Sequence, residues 1–180
     1  AKAANRPKIT ELKVSFSRDG FHWDRPYRDA FIPATRVPGS WDRGYVQSVG
    51  GICTVVGDQL RFYYIGFKGG DSSSYMHSNG ATGMATLRRD GFASMSTTGE
   101  GSLTTHPVKF SGKYMFVNVN CPAGELKVEI LDKNNKVIDG FSADKCKAVT
   151  IDSTIQQVEW NGASDLSSLA GQEVRFRFKL

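Results

Sequence analysis

The 180-residue sequence predicts an all-β protein in two parts, a partial β-propeller followed by a jelly-roll-like β-sandwich. Three observations predict it. Apolar and polar residues alternate one by one in short runs, which is the period of a strand with one buried face. Turn signals separate those runs, and the chain carries 19 glycines. The phrase Arg18-Asp19-Gly20-Phe21 returns as Arg89-Asp90-Gly91-Phe92, each time where a hairpin is due. Hairpins repeated at such a separation are what propeller blades produce.

The elements follow in order. Leu12, Val14 and Phe16 alternate with Lys13, Ser15 and Ser17, and Asp19-Gly20 closes that run. Val46 to Val56 is expected to form the innermost strand of a blade. Leu60 to Phe67 is the second, joined through Gly57-Asp58, with Gly83 to Arg88 third and Phe92 to Ser96 fourth. The first two are apolar on both faces, as strands stacked between neighbouring blades are. Thr97 to Ser102 reads as a linker, so the division falls between 1–96, about one and a half blades, and 97–180. About seven short strands are expected beyond Leu103, among them runs built on Met115-Val117-Val119, Leu126-Val128-Ile130 and Val174-Phe176-Phe178. The one helical turn is expected at Asp165 to Ala170, where Asp165 can cap and Leu166 and Leu169 share a face.

Composition narrows the function classes. Hydrophobic residues at 39% and charged residues at 23% suit a globular chain and argue against a disordered one. No apolar run approaches the roughly 18 residues of a membrane span. Ala1 to Pro7 lacks an apolar core, so no signal peptide is predicted, and Ala1 in place of Met suggests a processed, trimmed or tagged start. The net charge of +5 is spread along the chain, and Arg175, Arg177 and Lys179 alternate with apolar residues like a solvated strand face. No basic cluster with interleaved aromatics is present, so neither nucleic acid nor a membrane is expected as partner. Cys53 lies in an apolar run and reads as a buried thiol. Cys121 and Cys146 lie in polar stretches and can pair only if the fold brings them together. No zinc-site spacing, calcium-loop run, phosphate-cradling loop or hydrolase elbow occurs, so neither metal nor cofactor is expected.

Ser17-Arg18-Asp19-Gly20-Phe21-His22-Trp23 resembles the Asp-box of sialidases and related propellers in a shortened Ser-x-Asp-Gly-x-x-Trp form. Gly39-Ser40-Trp41-Asp42-Arg43-Gly44-Tyr45, then Val55 to Gly66, is similar to the last blade of five-bladed invertase-like and arabinanase-like glycosidases. Gly83 to Phe92 is similar to their closing strand. In that group a C-terminal sandwich follows the propeller, and Leu103 to Leu180, with its Asp165-Leu166-Ser167-Ser168-Leu169-Ala170-Gly171 turn, resembles one. The resemblance implies a carbohydrate-active protein, the C-terminal portion of a propeller glycosidase that completes a substrate funnel and stabilises the fold. It also implies an extracellular or periplasmic home. The group's catalytic carboxylates come from earlier blades, so no catalytic residue is assigned, and the chain alone is expected not to hydrolyse glycosides. A propeller needs at least four blades to close. An upstream propeller portion, as a second chain, is therefore an expected partner beside the oligo- or polysaccharide.

Candidate binding residues are those leading into the innermost strand: Trp41, Asp42, Arg43, Tyr45 and Gln47. An aromatic ring covers the C–H face of a sugar while neighbouring charged groups bond its hydroxyls. The competing reading has Trp41 packing the blade and Asp42–Arg43 forming a surface pair. His77, in the polar stretch Lys68 to Gly80, is placed to reach a substrate or to sit solvated in a loop. Asp19 and Trp23 are expected to be structural, Asp19 bonding turn amides and Trp23 packing between hairpins. Trp160, alternating with Val158, reads as core. Asn118, Asn120 and Glu159 can line a binding face, which gives the alternative function of a non-catalytic carbohydrate-binding module.

Overall fold

A computed structural model describes residues 9–69 and 77–180. The chain is all-β, with several small open sheets and, among the described residues, no α-helix. It divides into two compact units, Ala1–Arg89 and Asp90–Leu180.

In the first unit, β1 (Phe16–Ser17) and β2 (Trp23–Asp24) form a two-residue antiparallel pair. β3 (Tyr45–Val56), β4 (Gln59–Phe67) and β5 (Gly80–Arg88) form an antiparallel meander in that order. The Gly57-Asp58 turn is tight because Gly57 adopts φ +57°, which glycine reaches without a Cβ penalty. Register pairs Phe62 with Ala85 and Tyr64 with Gly83, so Leu60, Phe62, Tyr64 and Gly66 share one face and Arg61, Tyr63, Ile65 and Phe67 the other. The first face meets a small core of Ile32, Ala34 and Val46, with Leu12 and Phe31 packed on it. Phe31 meets Phe62 edge-on at 5.1 Å. A shift in pairing between Ser48 and Cys53 interrupts β3.

Two expectations for residues 1–96 fail. The run from Leu12 to Phe16 yields only the short β1 plus a single bridge between Leu12 and Ile32. The expected strand Phe92 to Ser96 is irregular chain. Met95 there is 75% exposed, so the segment has no covered face to reward strand pairing.

The second unit holds two small sheets. β6 (Ser102–Thr104), β10 (Arg175–Lys179) and β8 (Lys127–Leu131) pair in the order β6-β10-β8, and β7 (Met115–Asn120) pairs with β9 (Asp152–Val158). The alternation around Met115, Val128 and Phe176 is realised as strands, while Leu126 and Val174 make only isolated bridges to Val149 and Val108. Five named strands, rather than about seven, are joined by single bridges where polar turns cut the ladders short. One core serves both sheets, with Val128 and Ile130 from β8 and Val158 from β9. Trp160 belongs to it, and its indole Nε1 donates to the Val128 carbonyl at 2.8 Å.

Cys121 and Cys146 are also in this core, both buried and free, which answers the pairing that their polar stretches left open. The stretch read as a linker ends inside a ladder: Gly101 and Leu180 exchange both backbone bonds, at 2.7 and 2.9 Å. The expected helical turn is a 3-10 turn at Ser167–Leu169. Asp165 accepts from the Ser167 N–H at 2.8 Å, and Leu166 and Leu169 are both buried.

Candidate functional site

The first unit supplies the hairpin between β1 and β2. Asp19 Oδ1 accepts from the backbone N–H of Phe21 at 2.9 Å and of His22 at 2.8 Å, and Ser17 Oγ accepts from the Gly20 N–H at 2.8 Å. Gly20 sits at φ +79°, the conformation that aims those amides inward. Bonds from the His22 backbone, the His22 ring and the Phe21 backbone hold the Asp19 carboxyl well below the usual carboxylate range. Asp19 is thus the turn-former the sequence indicated. Trp23 is not a packing residue: it is 64% exposed, and its Nε1 only closes the turn by donating to the Gly20 carbonyl at 3.1 Å.

The segment before β3 folds back on itself. Thr35 N–H donates to the Asp42 carbonyl at 3.2 Å and Arg36 N–H to the Arg43 carbonyl at 2.9 Å, with Arg36 and Gly39 at positive φ. That return lays Trp41 across the meander. A Cβ on Gly66 would lie 2.5 Å from Trp41 Cζ3, and one on Gly83 would lie 2.9 Å from Trp41 Cζ2. Two strand glycines therefore leave the space the indole fills. Tyr64 lies beside it, ring centroids 5.4 Å apart and tilted by 30°. Trp41 remains 36% exposed, so it both packs the sheet and keeps an open edge.

Asp42 is buried, and its Oδ1 accepts from Thr35 Oγ1 at 2.9 Å and from Ser40 Oγ. It latches the returning loop. Burial, with the Asp42 charge added, pushes the Tyr64 phenol above its usual range. Arg43 is exposed, and among the described residues no ion pair joins it to Asp42.

Tyr45 and Gln47 pair with Phe67 and Ile65, so they lie on the opposite face from Trp41. There Tyr45 meets Phe67 at 5.6 Å, and His77 packs edge-on against Tyr45 at 4.4 Å and against Phe67 at 5.3 Å. The six candidates are not one constellation. Trp41 and Asp42 sit on one face, Tyr45, Gln47 and His77 on the other, and Arg43 in the loop that leads into β3. His77 is anchored on rings while its surface stays exposed. The rest of the loop before it, residues 70–76, lies outside the described residues.

Sequence reasoning missed Tyr64, Gly66 and Gly83. Two glycines two positions from a register pair inside apolar strands were the available signal, since strand glycine marks a close approach.

In the second unit, β7 alternates half-buried and exposed, so Phe116, Asn118 and Asn120 point outward and Phe116 is 51% exposed. Arg177 is less solvated than its alternation suggested, while Lys179 stays exposed. They hold the buried Glu129 at 2.8 and 3.1 Å. Burial pulls the Glu129 carboxyl upward, yet the bonds and charges of Lys179 and Arg177 outweigh it and leave it below its ordinary value. Among the described residues no group of three or more His, Cys, Asp or Glu is placed to hold a metal ion, and no helix is long and apolar enough to cross a membrane. No family model, curated protein or solved structure matches this chain.

Proposed function

We propose that this chain is a carbohydrate-active protein, the C-terminal portion of a propeller glycosidase, in which the β3-β4-β5 meander is a blade and the second unit a jelly-roll-like sandwich. The observation that carries this reading is the unequal treatment of the two faces of the meander. One face is covered by Leu12, Phe31, Ile32 and Ala34. The other presents Val56, Tyr63 and Met84, all exposed and on the same face as the Tyr45–Phe67–His77 rings, with Tyr63 and Met84 directly paired. A sheet apolar on both faces is built to be sandwiched, and a neighbouring blade has the shape to cover this face. The Asp-box hydrogen-bond set at Ser17 and Asp19 supports the same reading. The Trp41 indole, seated on Gly66 and Gly83 with an open edge, then serves as a sugar platform on the funnel rim, with Arg43 as a hydroxyl donor.

Affinity electrophoresis of the chain on gels containing fructans, arabinans or other polysaccharides tests the platform. Retardation lost in Trp41→Ala and weakened in the surface variant Arg43→Ala supports it, and retardation untouched by both removes it. Incubation with chromogenic glycosides tests the placement of the catalytic carboxylates. No turnover is expected, and robust turnover by the purified chain defeats that placement. The outward Phe116, Asn118 and Asn120 of β7 favour a second reading, a non-catalytic carbohydrate-binding module in which the second unit does the binding.

A further inference from the structure

We infer that the second unit contains a cleft for a single neutral sugar residue, walled by Tyr114, Gln157 and the Lys147–Glu159 ion pair. The inference rests on the carbohydrate-binding reading of this unit and adds the place and the ligand class.

A cavity of about 200 Å³ opens between the start of β7, the end of β9 and the segment before the 3-10 turn. Met115, Val158 and Trp160 line it on the core side, and Val158 and Trp160 are themselves buried. Its other walls are polar. Lys147 Nζ lies 2.7 Å from Glu159 Oε2, and both side chains are about half exposed, at 58% and 48%. Lys113 and Asp165 contribute a second cation and a second anion, and Tyr114 and Gln157 complete the lining. Tyr114 is 55% exposed.

Charge selects the ligand. Two ammonium groups and two carboxylates sum to zero around one small space. A phosphate or carboxylate would meet the carboxylates, a cation would meet the ammonium groups, and an apolar molecule would desolvate all four. A neutral polyol suits each wall, because every hydroxyl both donates to a carboxylate and accepts from an ammonium. Its C–H face suits an exposed tyrosine ring and an apolar floor. Size narrows it further. The volume is below the roughly 300 Å³ at which small-molecule sites usually begin, so the cleft itself holds about one sugar ring.

Amide and indole NMR spectra of the full chain, titrated with glucose, fructose, arabinose, galactose or mannose to about 50 mM and with glucuronate as an anionic control, test this in the weak-affinity range. For at least one neutral sugar, shifts are expected at Lys113, Tyr114, Gln157, Glu159 and the Trp160 indole, with a smaller response to glucuronate. Tyr114→Ala and Glu159→Gln are each expected to weaken that binding about fivefold or more while the spectra stay dispersed, as befits exposed positions. Shifts centred elsewhere, or unchanged affinity in both variants, overturn the cleft. Polysaccharide retardation that survives Glu159→Gln but disappears in Phe116→Ala also overturns it, and leaves the second unit a glycan binder on its open β7 face. Absence of both sugar shifts and second-unit retardation overturns the cleft together with that reading.

Discussion

At the residue scale, single side chains decide local geometry here, and two are directly testable. Gly83→Ala places a methyl where the Trp41 ring lies and close to Tyr64 Cζ at 2.9 Å. We expect a loss of ~1–3 kcal/mol in urea unfolding, the usual range for overpacking. The same change in a Trp41→Ala background should cost much less, because the clash partner is gone, and a double-mutant cycle measures the coupling. Equal losses in both backgrounds would mean that Trp41 does not occupy that space.

The thiols give a second check. Cys121 and Cys146 are buried, and burial pushes the Cys146 thiol above its usual range, so thiolate is scarce there. Cys53 is only half-buried. Native labelling with an aromatic disulfide reagent should therefore modify Cys53 first, with Cys121 and Cys146 reacting only on unfolding. Rapid native reaction of three thiols would contradict the core assignment. Asp19 is the third residue of interest. Its folded carboxyl is depressed, so its bonds stabilise the hairpin fully above the ordinary carboxylate range of about 3.9 and are lost as pH falls below it. Exchange of the Phe21 and His22 amides should quicken with falling pH relative to other exposed turns, after correction for intrinsic exchange.

At the element scale, strand pairing puts charge where alternation alone suggested solvent. Glu129 on β8 sits opposite Arg177 on β10 and is buried beneath Arg177 and Lys179. Glu129→Gln leaves the two cations without a charged acceptor and should cost ~1.5–3 kcal/mol, the range for hydrogen bonds to charged groups. Glu129 also sets a pH dependence. A carboxyl lowered in the fold contributes stability above its unfolded value and loses it as pH falls through the folded value. The wild type should therefore lose second-unit stability on acidification below about pH 4.3, and Glu129→Gln should lose less. An identical acid response in both chains would remove this pair from the account.

The same scale explains what the residues made legible. β7 follows the expected alternation residue by residue because one face packs on the core, whereas β8 is buried on both faces, since Glu129 is drawn in beneath Arg177 and Lys179. Phe92 to Ser96 shows a similar local pattern and forms no strand, since alternation proposes a buried face but only a neighbouring surface supplies one. Tyr45 and Trp41 are four residues apart in the chain and on opposite sides of a sheet, and strand register separates them. Proximity in sequence alone groups them at one site.

At the scale of the whole molecule, the two units differ in how much they bury. The second has Leu126, Val128, Ile130, Val158, Trp160 and Val174 in its core, whereas the buried apolar residues described in the first are Ile32, Ala34, Val46 and Leu60, with half-buried neighbours. Burial of large apolar side chains is the main favourable term in folding. Urea or thermal unfolding should thus show the first unit melting before the second, with Trp41 fluorescence changing ahead of Cys121 and Cys146 labelling. Simultaneous transitions would show that the units are coupled. Residues 90–180 alone should retain a cooperative transition, because that unit brings its own core.

From the chain alone came the all-β class, the tight turns at Gly20 and Gly57, the structural role of Asp19 and the core positions of Val128, Ile130 and Trp160. These are local properties, set by backbone preference and by a two-residue period that any strand must obey. Only the tertiary structure decided that Trp41 rests on Gly66 and Gly83, that Asp42 is a latch, that the cysteines are separate core thiols and that Glu129 is buried between cations. Those facts depend on which distant segments meet, and long-range contact is not encoded in any single stretch of sequence.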